Sequence, residues 1–324
     1  MHHAARTFLT AILALALPVT GASAQGWPSK PIRWIVPYTA GGMTDSATRM
    51  VLQKVTEQSG WNFVVDYRPG ANSMVGAAEV ARAPADGYTF ITVLGGHASN
   101  ATLYAGKMSF DPVKSFSAVS LMGVSPLIVV ATNSLPAKDM AELIAHARAN
   151  PDKISFGSSG VGAISHLAGE LLKQSAGVAM VHVPYKGFAV QLPDLVSGNI
   201  QITFETPSSV MTHVRGGRIK ALALLSAKRS SGAPEVPTIV EAGGPSLESS
   251  TPIMFLAPAE TPSNIVNRLS AAVARAVGTT DLAGKLNALG IEPVGNTPQQ
   301  ATRFLEDEVV KWGAVIRKAG VKVE

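Results

Sequence analysis

The sequence lacks cysteine altogether among its 324 residues. This absence excludes a disulfide framework, a thiol nucleophile and any metal site with cysteine ligands. Charged residues are scarce as well, at 15% of the chain, and no block of Lys or Arg of the kind that binds nucleic acid is found. The formal net charge of +5 becomes +4 without Arg6, the single Lys, Arg, Asp or Glu before position 25. The composition therefore predicts a mildly basic protein that does not bind nucleic acid.

No apolar run reaches the ~20 residues that a membrane-spanning helix requires. The apolar stretch Phe8–Leu17 is too short, follows Arg6, and is succeeded by the small residues Ala22-Ser23-Ala24. This order is typical of a secretory signal peptide. We therefore predict a signal peptide over residues 1–24, with cleavage after Ala24 and export of the mature protein. An uncleaved membrane anchor is the alternative.

Motifs of catalysis and cofactor binding are also missing. Gly157 and Gly162 have the spacing of a Walker loop, but Ala163-Ile164 stands where that loop requires Lys and Ser or Thr. A complete dinucleotide fingerprint, a G-x-S-x-G elbow and an H-E-x-x-H motif are absent too. We predict no catalytic residue, no cofactor and no metal site. One enzymatic alternative stays open, an exported hydrolase that uses Ser159 and His166.

Short apolar segments alternate with helical periodicity along most of the chain. The segments PIRWIVPY, WNFVVDY, YTFITVL, SPLIVVAT and IQITFETP are rich in Ile, Val and aromatic residues. Between such segments, apolar residues recur at helical spacing, as at Ile164, Leu167, Ala168, Leu171 and Leu172. This alternation is typical of parallel sheets with helices on both faces. We predict an α/β fold of two lobes, each a mostly parallel sheet flanked by helices.

The C-terminal part changes character after the Gly-, Pro- and Ser-rich segment 241–252. One strand is followed there by three helical patterns, over 261–277, 280–289 and 297–318. Because three helices with little sheet form no strong domain of their own, we expect them to cover the first lobe. We predict a discontinuous domain I of residues 25–127 and 249–324, with domain II, residues 128–248, inserted into it. Two lobes joined by extended segments leave a cleft that closes by hinge motion.

Two glycine-containing turns each join a predicted strand to a predicted helix, one in each lobe. The first turn is YTAGGMTD, residues 38–45, and the second is SSGVGA, residues 158–163. Glycine lets main-chain N–H groups approach a ligand closely, and a helix N-terminus adds unpaired donors and a partial positive charge. Ligands of open α/β sheets bind beyond the carboxyl ends of the strands. We therefore predict that the two turns hold one anion between them.

Several side chains near these turns have two interpretations. Asp45 either caps its helix or contacts the ligand. His97, in LGGHASN, either lines the pocket or has a structural role, and His166 is either a hydrogen-bonded structural residue or a ligand contact. Glu205 places a carboxylate at the end of a predicted strand. There it repels an anionic ligand unless Lys186 neutralises it or the ligand carries an amine or hydroxyl donor.

An ordered set of segments runs through the chain: WPSKPIRWIVPYTAGGMTDSATR, VVDYRPGANSMVGAAEVARAPADGYTFI, FGSSGVGAISHLAGELL, VPYKGFAVQLPDLVSGNIQITFE, VPTIVEAG and LAPAETPSNIVNRL. Together they resemble the solute-binding receptors of tripartite tricarboxylate transporters, the Bug-type periplasmic proteins. The resemblance implies a type II periplasmic-binding-protein fold, the Venus flytrap. It also implies that both turns hold one carboxylate of a small organic acid through main-chain amides and water. The binding residues implied by motif are Tyr38, Thr39, Ala40, Gly41, Gly42, Met43, Thr44, Asp45, Ser158, Ser159, Gly160, Val161, Gly162, Ala163, His166, Tyr185 and Lys186.

Three departures from the family pattern bear on specificity. Met43 stands where the family usually has a small residue, Glu205 stands where it usually has aspartate, and LGGHASN replaces a more serine-rich stretch. Tyr38 and Tyr185 flank the turns and are expected to supply apolar walls. The resemblance implies a monomeric receptor that delivers a mono-, di- or tricarboxylate to the permease subunits of a tripartite transporter. A ligand sensor for a membrane signalling partner is the other role that the sequence leaves open.

Overall fold

A computed structural model describes residues 26–323, and the predicted signal peptide lies outside the described residues. The described chain alternates strands with helices. Its strands are β1 (Ile32–Val36), β2 (Phe63–Tyr67), β3 (Thr89–Val93), β4 (Phe116–Pro126), β5 (Ile128–Ala131), β6 (Ser155–Ser158), β7 (Val181–Pro184), β8 (Ile202–Glu205), β9 (Lys220–Leu224), β10 (Ser250–Pro258) and β11 (Glu292–Pro293). Its helices are α1 (Met43–Ser59), α2 (Met74–Val80), α3 (Gly96–Leu103), α4 (Met140–Ala149), α5 (Ile164–Ala176), α6 (Phe188–Ser197), α7 (Pro207–Arg215), α8 (Ser263–Val277), α9 (Thr280–Ala288) and α10 (Pro298–Ala319).

The strands form two sheets with helices packed on them. The first sheet has the order β11-β4-β10-β3-β1-β2, and the second has the order β7-β6-β8-β5-β9. The predicted two-lobed α/β fold is therefore confirmed. All strands of the second sheet come between β4 and β10 in the sequence, which is the order that an inserted domain produces. The residue boundaries at 127/128 and 248/249 stay a prediction.

Both sheets are mixed, whereas the alternation of strands and helices in the sequence predicts mostly parallel ones. β1 pairs in parallel with β2 and β3, and β6 pairs in parallel with β7 and β8. The pairings of β10 with β3 and β4, of β11 with β4, and of β5 with β8 and β9 are antiparallel. Antiparallel neighbours need no crossover helix, and β4, β5, β9 and β10 adjoin the passages between the sheets. The two glycine turns follow β1 and β6, and both of these strands pair in parallel with their neighbours.

Two extended segments cross between the lobes side by side. The N–H of Leu127, just after β4, donates to the carbonyl of Ser249, just before β10, at 3.0 Å. The N–H of Ser249 donates to the carbonyl of Leu225 at 3.0 Å, and the N–H of Leu225 donates to the carbonyl of Leu127 at 2.8 Å. A pair of short crossings of this kind suits a hinge, in which a few backbone dihedral angles move whole lobes.

Each lobe has buried aromatic side chains on or beside the strand that precedes its glycine turn. In the first lobe, fully buried Trp34 stacks on Phe90 and meets Phe255 edge-on, while its ring N–H donates to Thr92 Oγ1 at 2.8 Å. In the second lobe, Phe156 of β6 is fully buried against other aromatic rings. Burial of each such side chain contributes roughly 1.5–3 kcal/mol. The strand ends are thus held on rigid supports.

The C-terminal helices cover the first lobe, as expected. α8 packs on α1 and β4, and α10 packs on α3 and β4. A capping box starts α10, because Thr297 Oγ1 accepts from the N–H of Gln300 while the Gln300 side chain accepts from the N–H of Thr297. α10 also reaches the second lobe, where Gln174 Nε2 donates to the carbonyl of Val315 at 3.1 Å. None of the helices in the described part of the chain combines the length and apolar character that crossing a bilayer requires.

Candidate ligand-binding site

Four strand ends converge on the candidate site, two from each lobe. In the first lobe, the N–H of Leu94, which follows β3, donates to the hydroxyl of Tyr38, which follows β1, at 2.9 Å. In the second lobe, Ser159 Oγ, after β6, donates to Oε1 of Glu205, the last residue of β8, at 3.2 Å. Each lobe thus has its own hydrogen bond that joins its two strand ends.

Contacts between the lobes bring these two pairs of strand ends to opposite sides of one cleft. Ser208 Oγ, in the first turn of α7, lies 3.4 Å from Met43 Sδ, at the start of α1. Ser99 Oγ of α3 donates to the carbonyl of Gly162 in the second turn at 3.4 Å. Gly95, at the start of α3, packs closely against the side chain of Ile164. The predicted convergence of the two turns agrees with these contacts.

The first turn presents free main-chain donors at the N-terminus of α1. Gly41 has φ +82°, a conformation that glycine adopts without strain, and Gly42 occupies the N-cap position with no side-chain cap. The N–H groups of Gly42, Met43, Thr44 and Asp45 donate no hydrogen bond within residues 26–323. Such groups carry the positive end of the helix dipole. The turn is therefore suited to an anion.

Asp45 holds the first turn in shape. Its carboxylate accepts from the N–H of Gly41 at 2.8 Å, from Arg49 Nε at 2.9 Å and from the hydroxyl of Tyr67 at 2.9 Å. Burial opposes ionisation, but these hydrogen bonds and the charge of Arg49 keep the pKa of Asp45 below its ordinary value. Asp45 therefore does not cap α1, whose N-cap residue is Gly42, but supports the turn before it, and the N–H of Gly41 is not available to a ligand.

Most main-chain N–H groups of the second turn donate to acceptors in neighbouring residues of the same lobe. The N–H of Ser159 donates to Ser165 Oγ at 3.0 Å, that of Gly160 to Ser158 Oγ at 3.2 Å, and that of Ala163 to the carbonyl of Gly160 at 3.2 Å. This differs from the expectation that the amides of Ser159, Gly160 and Ala163 face a ligand. Donors without a partner in the described chain remain on Val161, Ile164, Ser165 and His166, the last three in the first turn of α5.

A stacked histidine pair supports the second turn from behind. His166 Nδ1 accepts from the N–H of Gly162 at 3.0 Å, and its ring lies parallel to that of His182 with centroids 3.6 Å apart. His182 Nε2 is 2.6 Å from Ser158 Oγ. Burial, together with nearby positive charge, lowers the pKa of His166 to about 3 and that of His182 to about 4. Both rings are therefore neutral, and His166 is a support of the turn rather than a ligand contact.

His97 does not line the cleft. It is 1% exposed, its Nε2 lies 2.8 Å from the carbonyl oxygen of Pro112, and its ring packs on Phe110 and Phe116. Burial lowers the pKa of His97 to about 4. The structural interpretation fits these contacts, because a ring held by aromatic neighbours and a carbonyl group has no free face for a ligand.

Tyr185 and Lys186 border the second turn, and Lys186 does not fill the role predicted for it. The N–H of Tyr185 donates to the carbonyl of Ser158 at 3.0 Å, but its hydroxyl donates to Asp194 on α6 at 2.7 Å. Lys186 is exposed and makes no ion pair with Glu205. Neutralisation of Glu205 by Lys186 is therefore not supported.

Glu205 is the most unusual ionisable group of the site. It is 7% exposed, and its Oε1 accepts both from Ser159 and from Gln191 Nε2, the latter at 2.7 Å. Burial raises the pKa of Glu205 to about 7, against a smaller opposing effect of these two hydrogen bonds. Gln191, on α6, was not singled out by the sequence analysis, because nothing local marks a glutamine whose partner lies fourteen residues away.

Neither a cluster of metal-ligating side chains nor the predicted Ser159–His166 pair is found at the site within residues 26–323. Within residues 26–323, no three His, Asp or Glu side chains come together in a way that would hold a metal ion. Ser159 and His166, which the hydrolase alternative pairs, are not bonded to each other: Ser159 donates to Glu205 and His166 accepts from Gly162. Activation of a serine nucleophile requires the missing contact.

Comparison with known sequences extends over almost the whole chain. Residues 47–321 match the family model described as tripartite tricarboxylate transporter family receptor. The protein BugT of Bordetella pertussis is 31% identical over 98% of this chain and 99% of its own length.

Solved structures agree with this match. Rpa4515 of R. palustris, solved with adipate, has a TM-score of 0.79 at 37% identity and covers 91% of this chain and 99% of its own. The periplasmic binding protein BugD has a TM-score of 0.76 at 29% identity and covers 92% and 100%. MatC of Rhodopseudomonas palustris, solved with bound malate, has a TM-score of 0.74 at 28% identity and covers 90% and 100%. The chain therefore belongs to the tripartite tricarboxylate transporter receptor family, whose members are solute-binding receptors of the periplasm.

Proposed function

We propose that this protein captures a small organic carboxylate in the cleft between its lobes and delivers it to the membrane permease of a tripartite transporter. The observation that carries the proposal is the set of free N–H groups at the start of α1, whose first residue, Met43, touches Ser208 of the opposite lobe. The carboxylates found with two of the similar structures, adipate and malate, support the same ligand class.

The proposed contacts follow from the donors that the fold leaves free. A ligand carboxylate lies against the main chain of Gly42, Met43 and Thr44, with Thr39 and Ala40 at the rim. From the second lobe, the N–H of Val161, which has no partner in the described chain, completes the enclosure. Each charge-assisted hydrogen bond is worth roughly 1.5–3 kcal/mol, so a few of them suffice for micromolar binding.

Delivery depends on the two states of the cleft. A ligand that contacts both lobes favours the closed form over the open one, because only the closed form makes both sets of contacts. We propose that the permease recognises this closed form, that the receptor acts as a monomer, and that residues 1–24 direct it to the periplasm. No reaction step is part of this function.

A binding screen tests the proposal. The protein is unfolded, dialysed free of ligand and refolded, and its melting temperature is then measured with a panel of mono-, di- and tricarboxylates. At a concentration one hundred times Kd, a true ligand stabilises the fold by about 2.7 kcal/mol, which raises the melting temperature measurably. Mass spectrometry of acid released from the protein as purified identifies the natural ligand. If no carboxylate raised the melting temperature, the proposal would be abandoned.

A further inference from the structure

Glu205 presents one saturated and one free carboxyl oxygen at the candidate site. Ser159 Oγ and Gln191 Nε2 both donate to Oε1, at 3.2 and 2.7 Å. Oε2 accepts no hydrogen bond within residues 26–323, yet it is not among the buried polar atoms sealed from solvent. A side chain that is 7% exposed therefore has an unpartnered oxygen that meets solvent.

Glu205 lies at a strand end that borders the passage between the lobes. Glu205 is the last residue of β8 and is bonded to Ser159 in the second turn. Three residues later, Ser208 touches Met43 of the opposite lobe. The free Oε2 is therefore close to both the second turn and the contact with the first lobe.

The charged groups around Glu205 are engaged elsewhere. β5 and β6, its neighbours in the sheet, carry no titratable side chain. Across the cleft, Asp45 is paired with Arg49. The titratable groups on the remaining elements form no ion pair with Glu205 in the described chain. Glu170 is paired with Lys173, and Asp194 is bonded to Tyr185. His166 and His182 are neutral, and Lys186 is exposed.

Burial without a nearby cation favours the protonated form of this carboxyl group. The pKa of Glu205 is raised to about 7 by burial, so the protonated form predominates below that pH. Because Oε1 already accepts two hydrogen bonds, the proton resides on Oε2, the oxygen that meets solvent. A neutral carboxylic acid there is a hydrogen-bond donor, whereas the ionised form repels an anion.

We propose that Glu205, protonated on Oε2, donates a hydrogen bond to a carboxylate oxygen of the ligand. This inference rests on the proposed function and deepens it: the first carboxylate of the ligand lies at the N-terminus of α1, and Glu205 receives a second one. The ligand is then a dicarboxylate, and its capture is linked to the uptake of one proton from solvent at Glu205. The expected sign is that affinity falls as pH rises through 7, because ionised Glu205 must first take up a proton.

Isothermal calorimetry with adipate, malate and succinate at pH 6.5 and pH 8 tests this inference on the ligand-free full chain. All three probes are dianions at both pH values, so a change in affinity reports on the protein. We expect at least one probe to bind, with a Kd about tenfold higher at pH 8 than at pH 6.5, as a group of pKa about 7 requires. At pH 8 we also expect binding to take up about one proton per ligand. The number of protons is obtained by comparing the binding enthalpy in buffers of different ionisation enthalpy.

The variant Glu205→Gln is the matched control. Glutamine keeps an acceptor for Ser159 and Gln191 and presents a permanent donor in place of the protonated Oε2. We expect it to bind the same probe with a Kd at pH 8 equal to its Kd at pH 6.5 and with no proton uptake. Should this variant fail to fold, the proton uptake of the unaltered protein decides the question alone.

The outcomes separate the inference from the proposed function. Equal affinity of the unaltered protein at both pH values, or pH dependence retained in Glu205→Gln, overturns the inference and leaves carboxylate capture standing. Affinity that rises with pH overturns it too, because ionised Glu205 then accepts a hydrogen bond from the ligand. Binding of a monocarboxylate such as hexanoate with none of the three dicarboxylates has the same consequence. Binding of no acid at all contradicts the proposed function itself.

Discussion

Met43 Sδ of the first lobe lies 3.4 Å from Ser208 Oγ of the second, so the starts of α1 and α7 meet across the cleft. Ser208 is exposed and Met43 is half-buried, which places this contact at the rim of the cleft. The contact forms only when the lobes are close together. It therefore marks the closed arrangement and offers a way to oppose it.

A bulky residue at Ser208 is expected to prevent closure. In Ser208→Phe, the ring occupies the space that Met43 takes in the closed form, and we expect affinity for the carboxylate ligand to fall about tenfold or more, which is about 1.4 kcal/mol. The melting temperature without ligand should change little, because the position is exposed. Calorimetry measures the affinity, and Ser197→Phe, at an exposed position of α6, serves as control. Unchanged affinity in Ser208→Phe would show that this contact has no part in binding.

Gly162 is expected to be required for both backbone conformation and lobe contact. It has φ +78°, and a Cβ atom there would lie 2.4 Å from Leu103 Cδ1 of the first lobe. Gly162→Ala should lower the free energy of unfolding by about 1 kcal/mol and also weaken ligand binding several-fold. The matched variant is Gly177→Ala, which has φ +63° and no neighbour within 4 Å of the added atom. Urea unfolding and calorimetry on both should give similar losses of stability but a loss of affinity only in Gly162→Ala; equal affinities would refute the role of the lobe contact.

Acid is expected to destabilise the protein through its buried histidines. The pKa of His97 is about 4 in the fold and about 6.5 in the unfolded chain. Its contribution to stability is therefore complete above pH 6.5 and is lost as pH falls toward 4, because the unfolded chain takes up the proton first. His166 and His182 act in the same direction, and Glu205, with its raised pKa, opposes them. The net free energy of unfolding should fall between pH 6.5 and pH 4.5.

The variant His97→Gln isolates one of these contributions. Glutamine is expected to keep a donor for the carbonyl of Pro112, while it binds no proton. Urea unfolding at pH 6.5, 5.5 and 4.5 should show a pH dependence reduced by about one proton relative to the unaltered protein. An unreduced slope would mean that His97 already binds a proton in the folded state at these pH values.

The sequence predicts most of the strands, including β1 and β8 at the site, but it does not predict β4. β1 and β8 have runs of Ile, Val and aromatic residues, and they form as expected. β4 was not singled out, because serines interrupt its apolar pattern. Two of these serines bond far along the chain, Ser120 to the carbonyl of Asn296 and Ser125 to the carbonyl of Gly290. Partners some 170 residues away leave no local signal.

The sequence predicts both glycine turns, but it does not predict which acceptors their main-chain N–H groups bond. In the first turn the N–H of Gly41 donates to Asp45, and in the second the N–H of Gly162 donates to His166. Each turn is thus held by the side chain four residues further on, a spacing that is visible in the sequence and suggests how such supports are found. An acceptor at this position accepts a hydrogen bond from the N–H of the turn. The interpretation of Asp45 and His166 as ligand contacts does not take this bond into account. The free Oε2 of Glu205 and the meeting of Met43 with Ser208 depend on tertiary packing, which no local pattern encodes.

The central claim is that free N–H groups at the start of α1 bind the ligand carboxylate, and a pair of substitutions at Met43 tests it most directly. Met43 is the first residue of the helix, where proline fits, and Gly42 before it is extended at φ −74° and ψ 172°, as a residue before proline prefers. Met43→Pro therefore removes one N–H donor, whereas Met43→Ala removes the side chain and keeps the donor. Calorimetry with the acid found in the binding screen should give a Kd about ten- to a hundredfold higher for Met43→Pro than for Met43→Ala, the loss of one charge-assisted hydrogen bond. Equal affinities in two folded variants with equal melting temperatures would contradict the account.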